Sequence, residues 1–66
     1  MVLTVKKARL LSGLTQKDVA DSLGVHVHTY MKWEKKPEQM SIRTAKELSK
    51  IVSIEMDDIF FEIESN

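Results

Sequence analysis

Apolar residues recur at helical spacing along most of this chain, and turn-forming residues interrupt them. Val19, Ala20 and Leu23 follow one such pattern. Thr15 is a good N-cap before it, and Asp18 completes an acidic variant of the capping box. Gly24 ends the pattern, as a left-handed C-cap glycine does. Val25 is expected to turn inward after it. Val27, Tyr30 and Trp33 then recur every third residue, with Tyr30 and Trp33 as inward anchors. Ala20 is small where two crossing helices would approach most closely. The stretch 15–34 therefore reads as helix, tight turn, helix.

The flanks extend the pattern. Thr4 is placed to N-cap a first helix over about 5–12, with Val5, Ala8 and Leu11 as its inner stripe, Leu10 off that stripe, and Gly13 closing it. After Glu34, Pro37 cannot lie inside a helix and biases Lys36 towards extended backbone. Ser41 begins a fourth helix through about Val52, with Ile42, Ala45, Leu48, Ile51 and Val52 inward. Ile54 enters the core, and 56–60 reads as a short fifth helix whose acids suit its N-terminus. Residues 1–4 carry no periodicity. Residues 61–64 alternate apolar and acidic, as a short strand or a tail. The expectation is one all-α domain with helices at about 5–12, 16–23, 27–34, 42–52 and 56–60.

Together, Arg9, Gly13-Leu14-Thr15-Gln16, Ala20, Leu23-Gly24-Val25, Trp33-Glu34 and Asp57-Asp58-Ile59-Phe60 resemble the helix-turn-helix domains of Cro and phage-repressor type. The resemblance covers roughly Val5 to Phe60. It implies a five-helix, lambda-repressor-like fold whose third helix reads double-stranded DNA. It also implies a pair between Arg9 and Glu34. The sequence departs from the family at Lys36, where glycine is usual, at Ser53, where glycine often stands, and at Met40, where proline often stands.

Length and charge bound the rest. At 66 residues the core is small, and about 60% of the unfolded surface is buried in a domain of this size. Without cysteine there is no disulfide and no thiolate metal site. No apolar run approaches the ~20 residues of a membrane span, and no signal peptide is evident, so a cytoplasmic location is the default expectation. Net charge is zero, yet its distribution is uneven. Residues 1–36 hold seven Lys and Arg against three Asp and Glu, a net +4. Residues 37–66 hold three against seven, a net −4. The basic half contains the helix-turn-helix, so one side of the molecule attracts phosphate.

The candidate sites follow. By the resemblance, Val27, His28 and Lys32 match the positions that meet base edges. Val27 suits a thymine methyl, and His28 and Lys32 suit guanine acceptors. Met31 lies with them on the less committed side. Gln16, Lys17, His26, Lys35 and Lys36 are candidates for the DNA backbone, with His26 alternatively a cap. Arg9, Ala20, Gly24, Val25, Tyr30, Trp33 and Glu34 are structural candidates. Phe61 and Ile63 are candidates for a homodimer contact. His26 and His28, two residues apart, do not share a helix face, and no acid or cysteine completes a ligand set. No metal, cofactor, small-molecule substrate or catalytic constellation is expected. Two functions remain open at this point: a Cro-like or minimal repressor, and a protein-interaction or antitoxin-like module on the same scaffold.

Overall fold

The computed structural model describes residues 2–60, with only the backbone described at Phe60. The α-helices are α1 (Val5–Leu11), α2 (Gln16–Leu23), α3 (Val27–Lys35) and α4 (Ile42–Val52). Single 3-10 turns occupy Pro37–Gln39 and Met56–Asp58. Two short strands, β1 (Leu3–Thr4) and β2 (Ile59–Phe60), pair in parallel, Leu3 opposite Ile59 and Thr4 opposite Phe60.

Local chemistry sets the helix ends. The Thr4, Thr15 and Ser41 hydroxyls accept from the amides of Lys7, Asp18 and Thr44. At Thr15 the box is reciprocal, since the Asp18 carboxylate accepts the Thr15 amide at 2.9 Å. That amide, with the Thr15 hydroxyl, holds the Asp18 carboxyl below its usual pKa. Gly24 ends α2 at φ 74°, where a side chain would be strained. Ser53 ends α4 at φ 58° and carries that strain without being glycine.

The core is small and continuous. Val5, Ala8, Val19, Ala20, Tyr30, Leu48, Val52 and Ile59 are buried, and Leu14, Leu23, Val25, Val27, Trp33, Met40, Ile51 and Ile54 pack around them. α2 packs most extensively against α3, and Ala20 of α2 is fully buried.

Three expectations are corrected. The fifth helix over 56–60 is one 3-10 turn followed by β2. Residues 3–4, which carry no pattern, form the strand that β2 pairs with. Leu11 and Ile42 do not face inward; they are 71% and 73% exposed. At 3.6 residues per turn, a position six residues from an inward one is displaced by about 120°. Leu11 stands so relative to Val5, and Ile42 relative to Leu48. The inward positions of α1 are instead Val5, Ala8 and Arg9, and the half-buried C-cap Ser12 continues their face.

Candidate nucleic-acid interface

α3 is held by one side and bare on the other. Tyr30 is fully buried, and Val27 and Trp33 pack against the core. His28, Met31, Lys32 and Lys35 are exposed. On an α-helix these four fall within an arc of about 100°. The helix therefore presents a short outward stripe of one imidazole, one thioether and two ammonium groups.

His26 sets the start of this stripe. It is the N-cap of α3, and its Nδ1 accepts the His28 amide at 3.1 Å. Accepting at Nδ1 leaves the proton of a neutral ring on Nε2. The two imidazoles stack, centroids 4.9 Å apart and planes 21° from parallel. Stacking fixes the His28 ring on the exposed side of the helix entrance. No group of three or more potential metal ligands occurs among the described residues.

The opposite end of α3 is basic. Lys32, Lys35, Lys36 and Gln39 line a shallow concavity where the helix meets the Pro37–Gln39 turn. Pro37 is buried as the first residue of that turn, which fixes the chain path after Lys36. Sequence reasoning left out Gln39, because nothing in its local pattern shows that the turn folds back beside α3.

Three helices are tied together beneath the stripe. The Arg9 Nε of α1 donates to Glu34 Oε2 of α3, and the Arg9 Nη1 donates to the Leu14 carbonyl at 2.9 Å. The Gln16 Nε2 of α2 donates to Glu34 Oε1 at 3.0 Å. Both side chains of the ion pair are almost wholly covered. Burial works against the Arg9 charge, but Glu34 outweighs it and holds the guanidinium above its usual pKa. Burial likewise pushes the Glu34 carboxyl up; Arg9 foremost, then Tyr30 and Gln16, bring it below the usual glutamate value. The Tyr30 hydroxyl is buried beside them with no partner at full hydrogen-bond geometry among the described residues. Burial and then Glu34 drive its pKa far above the usual phenol value, so it stays protonated.

The other candidate positions divide. Gln16 is half-buried and donates to Glu34, and its amide nitrogen carries a second hydrogen that this bond does not use. Lys17 is exposed and pairs with Asp21 at 3.2 Å, an i,i+4 contact worth only about 0.3–0.5 kcal/mol that a phosphate could displace. Lys35 and Lys36 are exposed beside Lys32. Val27 is half-buried, so less of it is free than the sequence suggests. Phe61 and Ile63 lie outside the described residues. Sequence reasoning also missed Ser12, whose hydroxyl lies 2.9 Å from both the Ala8 and Val52 carbonyls and ties α1 to the end of α4.

A helix-turn-helix family model (HTH_3) matches residues 5–59, most of the chain. Comparisons with curated proteins and with solved structures gave no match. The matched span runs from the first residue of α1 into β2 and contains the whole α2–turn–α3 unit. Together with the capped turn at Gly24 and the bare face of α3, it places the chain in the Cro- and phage-repressor-type helix-turn-helix family of DNA-binding regulators.

Proposed function

We propose that the protein is a sequence-specific transcriptional regulator, Cro-like or a minimal repressor, that lays α3 in the major groove of an operator half-site. The observation that carries this reading is the outward stripe of α3, rigidly backed by Tyr30, Trp33 and the Arg9–Glu34–Gln16 network. A major groove about 12 Å wide admits one α-helix, and polar tips along its outward face can donate to base edges. His28 and Lys32 take the base edges, and the half-buried Val27 flanks them at the helix entrance. Gln16, Lys17, His26, Lys35 and Lys36 take phosphates on either side, with the backbone contacts setting register rather than sequence. Two copies bind a pseudo-palindromic operator, because one recognition helix covers only a few base pairs and the linked second site gains effective concentration.

Selection from a random duplex pool at two salt concentrations tests this. The expected outcome is an enriched half-site whose affinity falls with salt. Enrichment of no sequence would instead favour a protein-interaction module on the same scaffold. Lys32→Ala should weaken operator binding by roughly 1–3 kcal/mol and relax preference at one base position. Lys36→Ala should weaken all sequences alike and lower the salt slope by about 1. An unchanged preference profile in a folded Lys32→Ala protein would remove Lys32 from the base edges.

A further inference from the structure

We infer that Met31 is the apolar reader of this protein and recognises the C5-methyl group of a thymine. The inference rests on the proposed DNA reading and names a residue that determines its specificity. Three apolar or largely apolar side chains of α3 other than Tyr30 are available: Val27, Met31 and Trp33. Val27 and Trp33 are partly buried and pack against the core cluster, whereas Met31 is one of the exposed large hydrophobic side chains. Met31 is 36% exposed and stands on the outward stripe, one turn after His28 and one turn before Lys35.

The surroundings make this position unusual. His28, Lys32 and Lys35 all end in hydrogen-bonding groups, and Met31 does not. In the major groove the thymine methyl is the one apolar feature that a base pair offers. A thioether on an unbranched, flexible chain can settle over such a methyl with little positional demand. His28 and Lys32 flank it and offer donors to neighbouring acceptors, so the apolar contact would lie between polar ones. Val27, whose surface is partly spent on the core, is left to shape the helix entrance.

The test uses the full chain and the half-site obtained by selection. Each thymine in the half-site is replaced in turn by deoxyuridine, which removes the methyl and leaves the Watson–Crick edge intact. One replacement should weaken the parent protein about fourfold, the value of one buried methyl-sized group. Met31→Ala should bind the thymine and deoxyuridine duplexes equally, while Lys32→Ala keeps the deoxyuridine penalty. Met31→Leu should retain at least part of it. Circular dichroism of Met31→Ala should match the parent, since its side chain is outside the core. A penalty that survives in Met31→Ala, or no penalty at any thymine, overturns the assignment to Met31 and leaves the DNA reading in place. A selection that enriches nothing overturns both.

Discussion

Glu34 accepts from Arg9 on one oxygen and from Gln16 on the other, so one carboxylate couples three helices. Replacing one partner leaves the other charge covered and unpaired. Arg9→Ala or Glu34→Ala should therefore cost about 3 kcal/mol in urea unfolding, whereas joint replacement by apolar residues should cost much less. The same contact sets an acid dependence. The folded Glu34 pKa lies below its ordinary value of 4.5. Its contribution to stability is thus complete above about that pH and is lost as the pH falls through the lower folded value. Glu34→Gln should flatten the acid limb of a stability–pH curve; an unchanged limb would place its cause in other carboxylates. Trp33 packs on the core but is only half-buried. Its truncation to alanine should accordingly cost about 2–3 kcal/mol, below the range for a fully buried tryptophan.

Among the elements, α4 ends on the one residue that its backbone least suits. Ser53 holds φ 58°, and its amide donates to the Lys50 and Ser49 carbonyls to close the helix. Ser53→Gly should relieve the strain and stabilise the fold by about 0.5–1 kcal/mol, after the greater freedom of unfolded glycine is counted. Thermal melting should rise by a few degrees. A fall would show that the serine side chain contributes more than the strain costs. This position also marks what the sequence discloses. Thr15, Gly24 and Ser41 announce helix ends because capping is a local reaction between neighbouring residues. The α2–turn–α3 unit and the Arg9–Glu34 pair were readable because fixed residues at fixed spacing carry them. The β1–β2 pair was not, since two-residue strands show no alternation and their partner lies far along the chain. Ser12 and Gln39 were missed for the same reason: what places each is another element, the end of α4 for Ser12 and the C-terminal end of α3 for Gln39. Leu11 and Ile42 were misplaced because a repeat of three drifts off one helical face within two steps.

Charge is uneven along the chain, with the net +4 of residues 1–36 offset by the net −4 of residues 37–66. This predicts that the acidic half turns away from the duplex and that a dimer contact, if made there, avoids the phosphates. Phe61→Ser with Ile63→Ser should then abolish cooperative filling of two half-sites while the helices remain. Sedimentation and operator titration would show it, and parent-like behaviour in both would locate the contact elsewhere. The pairing of β1 with β2 bears on how the protein would answer a mechanical load. Leu3–Thr4 and Ile59–Phe60 run in the same direction, with α1 through α4 enclosed between them. Tension applied at residues 2 and 60 drags these strands past one another along their length. Their hydrogen bonds are loaded together, in shear, rather than opened one by one like a zipper. The helices between them carry no force until that short clamp slips, so the first event in a pulling experiment should be the parting of the two ends, with the helix-turn-helix still whole behind it.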